Sequence, residues 1–360
     1  MTSVAFRAKR PMNYEMFRPI HARLLRDPRM KVFLYGKSSG RSDASLFDQT
    51  GALPATRRPN WMAKFTAPDV LYSADFLRAT KRARTSIQIF HGVSMKNYFL
   101  NRRVLDYDHV FATGPYMIRR YVEKGYYEQG DPRLCEVGLP KTDRLTDGSL
   151  DRAAFLEQQG LDPALPTLLY APSWGEESSL DRMGEALLRC LAALPFNVLV
   201  KLHDNAYDPR FARQDWGALL QELKGPRFVA PATFDVIPPM QAADLLITDL
   251  SSVAYEWLQR DRPLVFMTFE GQLTRWEGQA DLATWGRRIG VECDDVDSLP
   301  AILEQELAEP GRNGPLRREA CADIYFNVGS STDAAMRETY RVLSMDAPAA
   351  PRPPEPAHSG

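Results

Sequence analysis

Cysteine is scarce and dispersed: Cys135, Cys190, Cys293 and Cys321 form no CxxC pair. That spacing argues against a zinc site and against the disulfide framework of a small secreted domain, and fits small buried hydrophobes in a reducing compartment. Long apolar runs are missing too. No stretch approaches the length of a membrane span, and the opening MTSVAFRAKRPMNYEMF has neither an apolar h-region nor a small-residue cleavage site. The expectation is a cytoplasmic protein whose contact with a membrane, on its inner face, is peripheral. Familiar nucleotide signatures are wanting as well. Tyr35-Gly36-Lys37-Ser38 looks like the end of a P-loop, but the first glycine of that motif would fall on Lys31. No GxGxxG follows the first expected strand, and no HExxH, GxSxG or suitably spaced Cys–His pair occurs. P-loop hydrolysis and dinucleotide chemistry drop out. No cofactor and no metal are expected, and Asp294-Asp295 reads as a solvated loop.

Net charge is also nearly absent, at −1 from 45 basic and 46 acidic residues, which argues against a nucleic-acid partner. The sum conceals an asymmetry. Residues 1–150 carry 26 basic and 14 acidic side chains, a net of +12, and the remaining 210 carry 19 and 32, a net of −13. Two regions with two different partners, one of them anionic, follow from such a split.

What the chain has in quantity is alternation. Short apolar runs at 31–35, 69–72, 86–90, 110–113 and 134–137, then at 167–171, 197–202, 227–229, 244–248 and 264–268, read as strands. Amphipathic stretches at 13–26, 74–83, 116–128, 179–194, 209–223, 252–260, 315–325 and 333–343 read as helices. Strand–helix–strand order with near-continuous apolar strands predicts parallel sheets covered on both faces. The fold class is therefore α/β, with two Rossmann-like domains facing across a cleft. Residues 1–150 form the first, 151–345 the second, and the Pro/Ala-rich 346–360 a disordered tail.

Ligands of open α/β sheets sit beyond the carboxyl ends of strands, and several polar residues of this chain fall there. His91 follows a strand and precedes Gly92, which would let a ligand approach closely; an imidazole there suits a general base. His203 ends another strand, with Lys201 two residues earlier on the same face, placed to hold a phosphate oxygen. The alternative reading is a hydrogen-bonded histidine in a turn for His91 and a buried strand-end histidine for His203. In DLLITDLSSVAYEW a buried strand runs through Asp249 into Ser251 and Ser252 at a helix start, where backbone amides and the helix dipole favour an anion. Glu256, one turn on, is placed to accept from ribose hydroxyls. Ser331 and Thr332 repeat the same logic before a later helix, and Gly36 opens a polar loop (36–40) near the expected cleft. Either serine site also reads as a helix cap without a ligand.

Taken in order, HG (91–92), YAPSW (170–174), KLH (201–203) and DLLITDLSSVAYEW…RPLVF (244–266) resemble the CDP-glycerol glycerophosphotransferase family, whose best-known members build teichoic acids. The resemblance covers roughly residues 85–340. It implies a GT-B architecture without a required metal, with the donor nucleotide held mainly by the C-terminal domain. It matches His91 to the base on the acceptor hydroxyl, His203 to the histidine at the donor pyrophosphate, and Ser251 and Ser252 to the phosphate-binding pair after Asp249. The implied reaction is attack of a lipid-linked or glycan hydroxyl on the β-phosphorus of CDP-glycerol or another CDP-alditol, releasing CMP. Val93, Asp204 and Leu250 depart from the threonine, proline and tyrosine frequent in the family, all beside phosphate-handling positions. Alternatives on the same site are a GT-B glycosyltransferase with a nucleotide-sugar donor, a nucleotide-sugar 2-epimerase, and a scaffold that only binds.

Overall fold

The computed structural model describes residues 1–8, 11–36, 56–59, 62, 65–74, 76 and 82–348. Its strands form two sheets whose ladders are all parallel. The first contains β1 (Thr2–Ala8), β2 (Met30–Gly36), β3 (Arg57–Pro59), β4 (Val70–Ala74), β5 (Thr85–Ile89), β6 (His109–Ala112) and β7 (Leu134–Glu136), ordered β3-β2-β1-β4-β5-β6-β7. The second contains β8 (Thr167–Tyr170), β9 (Asn197–Val200), β10 (Phe228–Val229), β11 (Leu245–Thr248), β12 (Leu264–Met267) and β13 (Val291–Cys293), ordered β10-β9-β8-β11-β12-β13. Strand order reverses between β1 and β4 in one sheet and between β8 and β11 in the other. This is the doubly wound arrangement, repeated, and it fulfils the expected α/β class.

The helices are α1 (Pro11–Leu24), α2 (Pro115–Glu123), α3 (Arg152–Gln158), α4 (Ser179–Ala193), α5 (Trp216–Leu223), α6 (Ile237–Ala242), α7 (Val253–Glu256), α8 (Leu299–Ala308), α9 (Gly314–Ile324) and α10 (Ser331–Val342). The helix expected at 209–223 forms only from Trp216, because the Asp215 carboxylate caps it by accepting from the Ala218 amide. The one expected at 252–260 is a single α-turn continued as a 3-10 turn, Trp257–Arg260. Most of the helix expected at 74–83 lies outside the described residues.

The expected strands begin at 31, whereas the first sheet begins at Thr2. Thr2, Ser3 and Arg7 make β1 look too polar for a central strand. Its burial comes from the neighbours on either side, β2 and β4, which the local run does not announce. Val4, Phe6 and Ala8 join one core with α1 and α10, where Phe6 stacks on Tyr72 at 4.8 Å and 8°. A second core lies between the other sheet and α4, α5 and α8. A third runs from Phe90, Met95 and Phe99 of the first half to Leu246, Leu250 and Trp257 of the second, so the junction of the halves is itself apolar. Each such fully buried side chain contributes about 1.5–3 kcal/mol.

The last helix does not stay with the second sheet. Beyond α9 the chain returns to the first half, where the Phe326 amide donates to Thr113 O and Asn327 Nδ2 to Glu136 O. α10 then closes the first core: Tyr72 bonds Thr339, Tyr340 donates to Asp27 at 2.6 Å, and Arg23 pairs with Asp333 at 2.7 Å. No helix of the described residues is long and apolar enough to cross a membrane.

Candidate active site

The reversal point of the second sheet is organised by a buried carboxylate. Asp249, just past β11, accepts from the Ser173 amide at 2.7 Å through Oδ1. Its Oδ2 accepts from the Ser179 amide at 2.7 Å and hydroxyl at 2.8 Å. Ser173 belongs to the loop after β8, and Ser179 opens α4. With both oxygens committed, Asp249 is a positioning residue that ties these loops together.

Ser251 and Ser252 follow. The amides of Ala254, Tyr255 and Glu256 bond back to Ser251 O and Ser252 O, and the Val253 amide donates to Ser251 Oγ at 3.3 Å. A single α-turn offers little dipole. The donors left over are local: among the described residues the Ser251 and Ser252 amides have no acceptor, and the Ser252 hydroxyl caps nothing.

His203 stands one strand away, past β9. Its Nδ1 accepts from the Asn205 amide at 3.1 Å, which places the proton of the neutral ring on Nε2. Its ring lies 5.6 Å from that of Trp174, beside Ser173, and Trp174 meets Phe211 edge-on at 5.4 Å. Trp174, Phe211 and Tyr207 are all substantially exposed. Lys201 is nearly withdrawn from water, and its Nζ donates to Leu202 O at 2.8 Å with Asp204 at 3.8 Å. Burial lowers its pKa, while Asp204 and Asp235 oppose the shift.

The first half contributes the turn after β5. His91 lies 5.7 Å from the Tyr98 ring, centroid to centroid. Gly92 has φ +151, and a Cβ there would come within 3.0 Å of Glu256 Oε1 and 3.2 Å of Ser252 Cβ. Glycine lets this turn lie directly on Ser252 and Glu256 of the other half. The segment that follows is fastened across the junction. Asp281 N donates to Met95 O at 2.9 Å, Gln279 Nε2 to Lys96 O at 2.9 Å, and Asn97 Nδ2 to Gln279 O at 3.1 Å.

Two expectations change. Glu256 is fully buried, and its Oε1 accepts from Lys141 Nζ at 2.8 Å, so it fastens the halves together and is not turned toward a ribose. Its Oε2 is buried without a hydrogen-bond partner. Nor are Ser331 and Thr332 a phosphate site. Their amides donate to the two oxygens of Asp143 at 2.9 and 2.7 Å, so the chain supplies its own anion at that helix start. Ser331 Oγ donates to Asn327 O. Gly36 closes β2 at the carboxyl edge of the first sheet, but residues 37–40 lie outside the described residues.

Sequence reasoning missed Lys96, Lys141 and Ser173. Lys96 sits five residues past His91, and Lys141 lies in a polar stretch that reads as a linker.

A sequence model of the CDP-glycerol:poly(glycerophosphate) glycerophosphotransferase family matches residues 48–274, which spans His91, Gly92, Lys201, His203 and the 249–256 block. The chain belongs to this family. It is thus a transferase, built as glycerophosphotransferases are. The wall teichoic acid polymerase TagF superposes with a TM-score of 0.66 at 14% identity, covering 95% of this chain and 89% of that one. A putative UDP-N-acetylglucosamine 2-epimerase from Listeria monocytogenes gives 0.63 at 12%, covering 96% and 98%. The UDP-GlcNAc 2-epimerase from Neisseria meningitidis, bound to UDP-GlcNAc, gives 0.60 at 11%, covering 95% and 100%. At these identities the likeness concerns the GT-B-type fold, which family member and epimerases share. A search of the curated proteins found no match.

Proposed function

We propose that this glycerophosphotransferase moves a glycerol-phosphate, or related polyol-phosphate, unit from a CDP-alditol to a hydroxyl acceptor in cell-surface polymer assembly. In this reading residues 151–345 hold the donor and residues 1–150 face the acceptor, with α10 returned to the first half. The acceptor oxygen attacks the β-phosphorus, its proton passes to His91, and the bond from phosphorus to the bridging oxygen breaks to release CMP. The Ser251 and Ser252 amides and the Nε2–H of His203 receive phosphate oxygens, so the protein's contribution is positioning and charge stabilisation. One observation supports the reading above the rest. The His91-Gly92 turn of one half lies on Ser252 of the other, so a base and a set of phosphate donors meet at the junction. A structure of a TagF variant soaked with CDPG supports the choice of donor by fold and family alone. The 2-epimerase alternative rests on fold likeness without the family match. The basic first half, at +12, favours a phosphate-bearing acceptor or peripheral contact with an anionic membrane surface.

The test is CMP release from CDP-glycerol by the purified chain with lipid-linked or glycan acceptors. His91→Ala is expected to cut turnover about 10²–10⁴-fold without shifting the melting temperature. Absence of CMP release from every CDP-alditol, together with no preference for cytidine over uridine nucleotides, would remove the proposal.

A further inference from the structure

Residues 151–360, which include the half proposed to hold the donor, carry a net of −13, and Asp249 stands at the reversal point of that half's sheet. A diphosphate adds further negative charge to that place. Within that half the Lys201 ammonium is engaged with Leu202 O and Asp204, and the Arg275 guanidinium pairs with Glu177 at 3.6 Å. Both of these cations already have partners, and a further positive charge comes from the first half.

Lys96 comes from the first half. Its main chain is held by the bonds from Gln279 and Asp281 described above. Asn97, next in sequence, is buried in a left-handed conformation (φ 49) with the Tyr116 hydroxyl 2.9 Å from its Oδ1. The side chain then reaches over the second half, with Nζ 5.3 Å from the centroid of the Trp276 ring. Trp276 in turn donates through Nε1 to Glu177 Oε2 at 3.2 Å, and Glu177 lies on the same loop as Ser173. The ammonium thus sits above the two loops that Asp249 joins. Burial lowers its pKa, Asp249 and Glu177 oppose that shift, and the nearby Arg275 adds to it. Among the described residues no carboxylate comes within ion-pair distance of Nζ. A partly desolvated cation over an aromatic face, without a counter-ion, is an arrangement that an anion completes.

We propose that Lys96 supplies, from the acceptor-side half, the positive charge that the donor diphosphate needs in the donor-side half. This rests on reading the site as one for a nucleoside diphosphate-alditol. It implies that the donor site is incomplete in either half alone. The contact is to phosphate, so it is indifferent to the base.

The experiment compares the full-length wild type with Lys96→Met and Lys96→Arg by calorimetric titration with CDP and with CMP. The expected result is a loss of about 10- to 100-fold in CDP affinity for Lys96→Met, a smaller loss for CMP, and substantial recovery in Lys96→Arg. Equal losses for CDP and CMP would report a collapsed loop and overturn the inference. So would unchanged CDP binding by Lys96→Met, and that outcome leaves the proposed function standing. Failure of the wild type to bind CDP would instead overturn the functional reading and this inference with it.

Discussion

Two helix starts in this chain carry the same sequence signal and do opposite things. Ser251-Ser252 precedes α7 and Ser330-Ser331-Thr332 opens α10. At α10 the Asp143 carboxylate, 188 positions away from Ser331, takes both free amides. At α7 the Glu256 carboxylate is engaged by Lys141, and among the described residues the Ser251 and Ser252 amides have no acceptor. A run of small hydroxyl residues before a helix is therefore a promise of donors only. Whether those donors serve a ligand depends on whether a distant part of the chain has already brought an anion to them.

The largest test of that contrast is to free Glu256. Lys141→Met leaves a fully buried carboxylate with no cation, and a loss of about 3–5 kcal/mol is expected in chemical denaturation. Retention of wild-type stability would mean that the pair does not fasten the halves. A pH titration probes the α10 side. His21, edge-on to Phe6 in the core that α10 closes, has its pKa pushed down by burial from 6.5 to about 4. The unfolded chain takes up that proton first as pH falls. The contribution is therefore complete above pH 6.5 and lost progressively down to about pH 4, to a total of roughly 3 kcal/mol. His21→Gln should flatten this part of the stability–pH curve, and an unchanged slope would assign it to other groups. Next in size is Asp143→Ala, expected to cost about 1–3 kcal/mol while CDP affinity stays as in wild type. A drop in CDP affinity would place the α10 start in the donor site after all. Smallest is Ser251→Ala, which removes a long 3.3 Å capping bond and should cost about 0.5–1 kcal/mol of stability.

The same contrast explains what was legible in the sequence. Ten of the thirteen strands could be read because runs such as LLIT and NVLV are apolar on both faces, and that pattern is local; the short edge strands β3 and β13 were not among them. The two histidines and Ser251-Ser252 could be read because strand-end and helix-start chemistry is local too. β1 could not, since a run with Arg7 inside it becomes central only through its partners. The engagement of Glu256 and of Ser331 could not be read either. Lys141 and Asp143 lie far off in sequence and occupy a stretch with the composition of a linker. Lys96 was missed for a related reason: its position over Trp276 depends on bonds to Gln279 and Asp281, more than 180 residues later. Chemistry written within a few residues was visible, and chemistry completed across the junction was not.

The return of α10 to the first sheet has a consequence for how the protein is made. Tyr72, Asp27 and Arg23 emerge from the ribosome early, but their partners Thr339, Tyr340 and Asp333 emerge some three hundred residues later. The second sheet holds all its strands, and the helices α4, α5 and α8 that cover one of its faces, within 167–308, so that face can be completed first. The amino-terminal half must wait, with the face of its sheet that α10 closes covered only in part by α1, until nearly the whole chain has been synthesised. Growth order and folding order are therefore reversed in this molecule, and the half translated first is the last to close.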